Sequence, residues 1–245
     1  MRMILPSAGD ELDLLGLADV YAYPQEQWLR ANMVASADGA AYLDGRSTGL
    51  SGPDDKRIFG VLRALADVIL VGAGTARAEE YRPALRRPSL AAVREGRPET
   101  APIALVTRTL GLNLTSTLFT DTPPDARTIV ITCAAADPDL RDATAKVADV
   151  IIAGEETVDL AAAVTALGDR GLRQVICEGG PHLLADLAAA GLLDELCLSL
   201  SPTLAGPGAS RIIAGQQQPA RPLALKHVLA GDNGFLFASY TTENQ

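Results

Sequence analysis

The sequence predicts an α/β fold in which helices flank a mainly parallel central sheet and an antiparallel hairpin ends the chain. Three observations lead to this prediction. Apolar runs such as DVILVG (67–72) lack alternation, as strands covered on both faces do. Segments with helical spacing of apolar residues stand between these runs, an order typical of parallel sheets. The tail reads LALKHVLA, GDNG and FLFASYTT, a pattern typical of two antiparallel strands around a turn.

The first part of the chain is predicted to be separate from the main domain. Residues 1–27 are interpreted as a short helix over 11–20 followed by a linker that ends at Pro24. The alternation of strands and helices starts only at Trp28. Residues 28–245 are therefore predicted to form a single domain.

The elements after Trp28 follow in order. WLRANMVASADGAAYL is predicted to be a strand that ends in a turn at Asp38 and Gly39, both suited to tight geometry. A helix is predicted to begin at Pro53, because proline suits the first helical position. Further strands are predicted at 103–107, 128–133, 150–153 and 174–177, with helices at 138–147 and 158–170. LLDELCLSLSPTL is expected either at a sheet edge or at a subunit interface.

Composition excludes several classes of function. With 245 residues, 48% of them apolar, the chain can bury a large core without disulfides or metal. Its three cysteines each stand in an apolar run and are expected to be small buried side chains in a reducing, cytoplasmic compartment. The net charge of −9, with no basic patch, opposes nucleic-acid binding. No apolar run approaches ~20 residues, so no membrane partner is expected.

Two strand ends are rich in glycine, and parallel sheets bind ligands at the carboxyl ends of their strands. The first is DVILVGAGTARAEE, where Gly72 and Gly74 allow close approach of a ligand and Thr75 adds a hydroxyl. This stretch matches only the first half of the GxGxxG dinucleotide fingerprint, because Arg77 stands where the third glycine belongs. The alternative is a glycine turn needed only for packing.

The second glycine-rich end is RQVICEGGPHLL. A strand through Cys177 brings Glu178 to the edge of the sheet, Gly179 and Gly180 form a turn, and Pro181 begins a helix whose free amides form an anion site. A phosphate repels a carboxylate, so Glu178 is expected to face an amine, hydroxyl or aminopyrimidine. The alternative is a glutamate paired with a neighbouring arginine or with backbone amides.

Three stretches, in this order and spacing, resemble the riboflavin-biosynthesis pyrimidine reductases of the dihydrofolate-reductase-like superfamily. They are NMVASADGAA, LRALADVILVGAGTARAE and VICEGGPHLLADLAAAGLLDELCLSLSPTLAG, and the resemblance covers about residues 28–241. It implies a dihydrofolate-reductase-like α/β fold and a homodimer. It also implies NADPH-dependent hydride transfer to the ribosyl C1′ of a 5-amino-6-ribosylaminopyrimidine phosphate. The zinc-deaminase half of the bacterial fused enzyme needs a Pro-Cys-x-x-Cys element. That element is absent here, so a stand-alone reductase without metal is expected.

The resemblance also implies roles for single residues. Contacts to NADPH fall on Val34, Ala35, Thr75, Glu79, Gly180, Pro181, His182, Leu183 and Leu184, which join Gly72, Gly74 and Gly179 from the two glycine-rich ends. Substrate contacts fall on Asn32, Ser47, Arg63 and Glu178, of which Asn32 and Glu178 are also predicted to be catalytic. Position 32 is lysine in bacterial fused enzymes and asparagine in archaeal and fungal-type ones.

The choice of NADPH over NADH has separate support. The strand IALVT ends at Thr107 and Arg108, with no acid to bind a ribose 2′-hydroxyl and with a guanidinium suited to a 2′-phosphate. We therefore predict that both residues bind the cofactor. The alternative for Arg108 is a solvated side chain.

The substrate side departs from the family pattern. Where the family commonly has Asp-Asn-Pro or Asp-Asp-Pro, this chain has Glu79, Glu80 and Tyr81, followed by RPALRR. Arg82 and Arg86 in that loop are predicted to bind a substrate phosphate, and the alternative is an exposed basic loop. A tryptophan common in bacterial members is replaced by Gly49.

The proton donor is open among several groups. Asp38 is predicted to be catalytic as an acid, although it equally suits a role in capping the turn. His182 stands at the anion-binding helix start, His227 is interpreted as structural, and water is a further choice. Two other functions also stay open. One is a dihydrofolate or pterin reductase on the same scaffold, and the other is a non-catalytic NADP-binding protein.

Overall fold

The computed structural model describes residues 1–242, which build one ten-stranded sheet with helices on both faces. The strands are β1 (Arg2–Leu5), β2 (Trp28–Ser36), β3 (Val68–Gly72), β4 (Ile103–Val106), β5 (Ile129–Thr132), β6 (Asp149–Ile152), β7 (Gln174–Cys177), β8 (Glu195–Ser201), β9 (Leu223–Ala230) and β10 (Leu236–Thr242). The helices are α1 (Leu14–Val20), α2 (Pro53–Leu65), α3 (Ala73–Ala78), α4 (Thr117–Thr120), α5 (Pro138–Ala145), α6 (Leu160–Asp169) and α7 (Pro181–Ala189).

The order of strands across the sheet is β1-β9-β10-β8-β2-β7-β3-β4-β5-β6. From β8 to β6 all neighbouring strands are parallel, and from β8 outward to β1 they are antiparallel. The predicted α/β class, the mainly parallel sheet and the C-terminal hairpin are therefore confirmed. The predicted strands and helices are all present, with ends that shift by a few residues.

The position of two strands was not foreseen. The stretch LLDELCLSLSPTL contains β8, which lies between β10 and β2 inside the sheet, so a place at the sheet edge is wrong. Its alternating pattern arises because one face of β8 packs on the core and the other stays half-buried. The hairpin does not form the outer edge either, because β1 pairs with β9 beyond it.

The N-terminal segment contributes to the sheet, although the division of the chain at residue 27 stays a prediction. Strand β1 has only four residues, RMIL, which are too few to show periodicity. Helix α1 begins later than predicted because the Asp13 carboxylate accepts a hydrogen bond from the Gly16 amide at 2.8 Å and caps the helix there.

The core has two parts, one on each face of the sheet. Leu17 of α1 and Leu62 of α2 pack on one face, while Leu167 of α6 and Leu184 of α7 pack on the other. The three cysteines are free and buried, as expected. Among residues 1–242, no helix combines the length and apolar character that a bilayer crossing requires.

Helix α2 is fixed at its C-terminus by two arginines. The last carbonyls of a helix lack donors within the helix. Arg94 donates to the carbonyls of Ala64 at 3.0 Å and Ala66 at 2.9 Å, and Arg97 donates to that of Leu65. These bonds hold the turn that carries Arg63.

A long irregular connection, residues 202–222, joins β8 to β9. It is attached to two other parts of the chain. The Ser210 carbonyl accepts from the Ala41 amide at 2.7 Å, just after β2. Ala214 donates to the Pro181 carbonyl at 3.3 Å, and two further side chains, Gln218 and Arg221, donate to carbonyls of α7 at 3.0 Å each.

A buried ion pair joins β2 to β8, and we call it the closed pair. Arg30 and Glu195 are register partners with fully buried side chains, and their nearest atoms are 2.7 Å apart. The Trp28 indole donates to the same carboxylate at 3.0 Å, and the Ser239 hydroxyl also donates to it. The ring of Tyr23 stacks 4.2 Å from the guanidinium. The Glu195 carboxylate therefore accepts from several donors, whereas Arg30 Nη2 makes no hydrogen bond within residues 1–242 despite its closeness to Glu195.

Candidate active site

A cavity of about 750 Å³ opens beside the carboxyl ends of β2 and β7. Its walls come from β2, α2 and the segments that follow β2 and α3. The predicted site residues that line it are Asn32, Val34, Ser47, Arg63, Thr75, Glu79, Arg82, Arg86 and Glu178. The fold therefore brings together residues that lie up to 146 positions apart (178 − 32).

Glu178 and Arg63 form a second ion pair, which we call the open pair because it faces this cavity. Arg63 donates from Nε to Oε1 and from Nη2 to Oε2, both at 2.7 Å. The Tyr81 hydroxyl donates to Oε2 at 2.6 Å. The alternative of a glutamate paired with an arginine is thus what the structure shows. The bond from Tyr81 was not foreseen, and its only signal was the departure from the family pattern at that position.

The open pair raises the pKa of two of the groups that form it or bond to it, Arg63 and Tyr81. Burial lowers the pKa of Arg63, but the charge of Glu178 and its hydrogen bonds outweigh this and raise it overall. Burial, then the Glu178 charge, raise the pKa of Tyr81 well above its ordinary value, so the phenol keeps its proton. The Arg63 guanidinium also lies over two rings, 4.3 Å from the centroid of Phe59 and 5.5 Å from that of Tyr81.

Asn32 offers an unused acceptor to the cavity. Its Oδ1 is buried and has no hydrogen-bond partner within residues 1–242. Side chains alternate along a strand, so Asn32 and Val34 of β2 lie on one face. Because most buried polar atoms in proteins are hydrogen-bonded, this oxygen indicates a place for a donor from a ligand.

Glu79 and Ser47, predicted to contact cofactor and substrate respectively, bond to each other. Glu79 Oε1 accepts from the Ser47 amide at 2.7 Å and from its hydroxyl at 2.9 Å, and Thr48 donates to Oε2 at 3.3 Å. The neighbouring Glu80 accepts from Arg46 at 2.8 Å. These contacts clamp the segment after β2 to the end of α3.

The two glycine-rich strand ends meet. The Gly72 amide donates to the Gly179 carbonyl at 2.8 Å, the Gly179–Gly180 peptide is cis, and Gly179 has φ +88°, where glycine is favoured. A Cβ on Gly180 would overlap the Thr75 hydroxyl, whereas one on Gly74 would meet no atom within 4 Å. The backbone at Gly74 is therefore open to a ligand.

The start of α7 also fits an anionic cofactor. The amides of His182 and Leu183 lie in its first turn, where no carbonyl of the helix accepts from them. The side chains of Leu183 and Leu184 are buried in the core, so any contact to a ligand there is through their backbone. The His182 side chain is exposed.

The remaining predicted cofactor residues lie outside the cavity lining. Ala35 is buried on the opposite face of β2, with 5% of its surface exposed. The hydroxyl of Thr107 accepts from the Leu110 amide at 3.2 Å and so stabilises the turn after β4. Arg108 follows it and is exposed at the same edge of the sheet as Gly74.

Asp38 has the contacts of a turn cap. Its carboxylate accepts from the Ser36 hydroxyl, from the Ala205 amide at 3.0 Å and from the Gly206 amide at 2.8 Å. These bonds, that from Ser36 foremost, lower the pKa of Asp38 to about 2. An acid that has already lost its proton at neutral pH is unsuited to donate one, so the geometry opposes the predicted role as proton donor and supports the capping alternative.

The basic loop divides into paired and unpaired arginines. Arg86 lies 3.3 Å from Glu99, and both side chains are more than half exposed. Arg82, which also lines the cavity, has no acidic partner within 4.0 Å in the described part of the chain. Arg82 therefore has the freer guanidinium of the two.

The sequence of this chain is similar to the sequences of known proteins. Residues 27–237 match the family described as the RibD C-terminal domain. A protein of Archaeoglobus fulgidus named 2,5-diamino-6-ribosylamino-4(3H)-pyrimidinone 5′-phosphate reductase is 32% identical over 178 residues, which are 71% of this chain and 80% of that protein. A protein of the same name from Methanothermobacter thermautotrophicus is 27% identical over 175 residues, 71% of this chain and 77% of that one.

Solved structures show the same fold. A pyrimidine reductase-like protein from Corynebacterium diphtheriae superposes with a TM-score of 0.83 at 28% identity, covering 94% of this chain and 99% of that one. A riboflavin biosynthesis reductase of Saccharomyces cerevisiae superposes with a TM-score of 0.63 at 16% identity, covering 90% and 92%, and shows the fold alone. The predicted resemblance is confirmed, and this chain belongs to the RibD C-terminal domain family.

Proposed function

We propose that this chain is an NADPH-dependent reductase that converts the ribosyl group of a 5-amino-6-ribosylaminopyrimidine 5′-phosphate to ribityl. One observation carries the proposal. The cavity gathers the open pair and the unpaired oxygen of Asn32 next to the turn where the two glycine-rich strand ends meet. A pocket with a few fixed polar groups beside an anion-binding turn suits a polar substrate and a phosphorylated cofactor.

The substrate that we propose first is the 2,5-diamino form, because it is the one named for both archaeal relatives. Asn32 Oδ1 would accept a hydrogen bond from an amino or hydroxyl group of this substrate. Glu178 Oε1 accepts one bond from Arg63 and has room for another from the ligand. The guanidinium of Arg82 would bind the phosphate, with Arg86 beside it once released from Glu99.

The residues predicted to bind the cofactor have groups that suit a dinucleotide. The amides at the start of α7, the open backbone at Gly74 and the Thr75 hydroxyl would hold it, and when bound it supplies the hydride. We propose NADPH rather than NADH because Arg108 is exposed at this edge of the sheet and the strand before it ends without an acid. Arg108→Ala is expected to narrow the preference for NADPH over NADH about tenfold, roughly 1.4 kcal/mol.

The chain's own residues position the substrate. Arg63 and Tyr81 hold Glu178 in one orientation, and two rings hold Arg63. The Glu178 side chain is only 2% exposed, so water competes weakly for it. Such a fixed acceptor lowers the barrier chiefly by orienting the reacting carbon.

The decisive experiment measures NADPH oxidation by the purified protein. We would offer the 2,5-diamino substrate, its 5-amino-uracil counterpart and dihydrofolate in parallel, each also with NADH. Oxidation with either ribosylaminopyrimidine supports the proposal, and the faster of the two identifies the substrate. Oxidation with dihydrofolate alone would establish the pterin reductase instead. Cofactor binding without oxidation of any substrate would leave a non-catalytic NADP-binding protein.

We also propose a homodimer, in which a second copy covers the exposed side of the antiparallel strands. Leu223, Leu225 and Leu236 on β9 and β10 are 38%, 48% and 40% exposed. The half-buried Leu200 of β8 lies opposite Leu236 and on the same face. A patch of this kind favours association. Sedimentation of the wild type and of Leu225→Glu tests it, and a monomeric wild type would exclude the dimer.

The free, buried cysteines and the use of a reduced nicotinamide support a cytoplasmic location, which we include in the proposal.

A further inference from the structure

The proposed reaction needs a proton as well as a hydride. C1′ of the ribosylamine gains a hydride with its two electrons, and the C1′–O4′ bond breaks. The electron pair of that bond leaves with O4′, which then takes up one proton. Asp38 is a poor donor for the reasons given above, and neither histidine lines the cavity. Another group must therefore supply the proton.

Most hydroxyl groups of the cavity are already committed to carboxylates as hydrogen-bond donors. These pairs are Ser47 with Glu79, Thr48 with Glu79, Ser51 with Asp55, and Tyr81 with Glu178. Tyr42 also lines the cavity, but its hydroxyl has no hydrogen-bond partner within residues 1–242. The aliphatic hydroxyls of Thr75 and Thr100 are much weaker acids than a phenol.

Tyr42 lines the cavity and also lies close to the turn formed by Gly179 and Gly180. Its hydroxyl lies 3.6 Å from the point that a Cβ on Gly180 would occupy, and the Thr75 hydroxyl lies near the same point. The segment that carries it is fixed on both sides. The Ala40 amide donates to Ser36 Oγ at 2.8 Å, and Leu43 exchanges backbone bonds of 3.0 Å with Arg46. Such fixed placement suits a group that must meet a reacting atom.

We propose that the Tyr42 phenol is the proton donor to O4′, an inference that rests on the proposed function. After the transfer, the phenolate regains its proton from solvent, since the cavity is open and Tyr42 is half-buried. Burial, then the charge of Glu79, raise the pKa of Tyr42, so the group is a phenol at neutral pH. Lys56 also lines the cavity and carries an ammonium that could donate a proton, but it is exposed in the first turn of α2.

The test compares Tyr42→Phe with two other variants, Lys56→Met and Tyr240→Phe. Tyr240 lies on β10 outside the cavity lining and serves as the control for loss of one phenol. We expect Tyr42→Phe to bind NADPH and substrate within about threefold of wild type by calorimetry. Its kcat is expected to fall about 10²–10⁴-fold, the range typical of a positioned general acid. The two other variants should keep kcat within a few fold.

A second measurement is independent of turnover. The ultraviolet absorbance of phenolate, followed against pH in the free protein, should show one fewer group titrating above its ordinary pKa in Tyr42→Phe than in wild type.

Each outcome decides the inference. A Tyr42→Phe variant with near wild-type kcat would overturn it, as would a loss of kcat explained by lost cofactor binding or a larger loss in Lys56→Met. A wild type that binds NADPH but reduces neither ribosylaminopyrimidine would overturn the proposed function and this inference together. The two failures are thus distinguishable.

Discussion

The closed pair and the open pair have almost the same chemistry but different surroundings. In each, an arginine lies 2.7 Å from a glutamate, an aromatic ring stacks on the guanidinium, and a hydroxyl donates to the carboxylate. The closed pair is fully buried between two strands, whereas Arg63 of the open pair is 21% exposed and borders the cavity. The difference teaches that access to a cavity, and not the ion pair itself, distinguishes a site for ligands from a structural contact.

The largest expected effect is on stability, at the closed pair. Arg30→Met leaves Glu195 buried with only the Lys226 ammonium, 3.5 Å away, as a cationic partner. We expect the free energy of unfolding to fall by about 3–5 kcal/mol, because a buried charge that has lost its main partner is strongly unfavourable. Urea denaturation measures it. The matched variant Arg63→Met should lose less, and a loss below about 1 kcal/mol in Arg30→Met would remove the distinction.

The next effect is on catalysis, at the open pair. Glu178→Gln keeps the shape of the side chain but removes its charge, so the orientation of Arg63 and of the substrate is lost. We expect kcat/KM to fall about 100-fold, roughly 2.7 kcal/mol, with NADPH binding spared. Stopped-flow kinetics and a cofactor titration measure the two. Abolished cofactor binding would show that the carboxylate faces the cofactor instead.

The third effect uses the pH dependence of stability to test the surroundings of the closed pair. His227 is buried against Tyr21, 4.9 Å between ring centroids, near Lys226, Glu195 and Arg30. Burial, then the charge of Lys226, lower the pKa of His227 to about 4. In the unfolded chain the imidazole takes up a proton near pH 6.5. The contribution of neutral His227 to the free energy of unfolding is therefore fully present above about pH 6.5 and is lost as the pH falls toward 4.

We expect the wild type to lose about 2 kcal/mol more stability between pH 7 and 4.5 than His227→Gln does. Urea denaturation of both proteins at each pH isolates this group from the carboxylates that titrate in the same range. Equal losses in the two proteins would show that His227 is not the group responsible.

The smallest effect compares the hydroxyl groups that donate to the two carboxylates, Tyr81 in the open pair and Ser239 in the closed pair. Tyr81→Phe removes one of the three bonds to Glu178 and should lower kcat/KM about tenfold, roughly 1–1.5 kcal/mol. Ser239→Ala removes the equivalent bond to Glu195 and should lower the free energy of unfolding by about 1 kcal/mol, with kcat/KM unchanged. If each variant changed the other property instead, the comparison of the two pairs would be wrong.

The fold was largely predictable because most of the parallel strands contain a continuous run of apolar residues. Such a run can be recognised in the sequence by itself. DVILVG is one such strand, and the helix that begins at Pro53 is another local signal. Strand β1 has four residues, and the place of β8 depends on partners far away in sequence. Local sequence patterns therefore predict neither the existence of β1 nor the position of β8 in the sheet.

The site was predictable residue by residue but not as a set of contacts. The resemblance to the family implied Arg63 and Glu178 separately, as two groups that touch the substrate. They are 115 positions apart and bond to each other, which only the folded chain reveals. Tyr81 was noted as a departure from the family pattern, and Tyr42 carried no signal at all, because a lone tyrosine after a turn is common.

The connecting segment 202–222 has a mechanical consequence. It fastens the turn after β2, through Ser210, and the start of α7, through Ala214, to one and the same stretch of chain. A displacement of the turn after β2 is therefore transmitted to the start of α7, and a displacement of α7 is transmitted to that turn. Exposed, irregular segments are ordinarily the first choice for inserting a tag or trimming a protein. In this chain, an insertion or deletion within 202–222 would loosen both the turn after β2 and the start of α7. Tags and reporters should therefore be placed elsewhere on the chain.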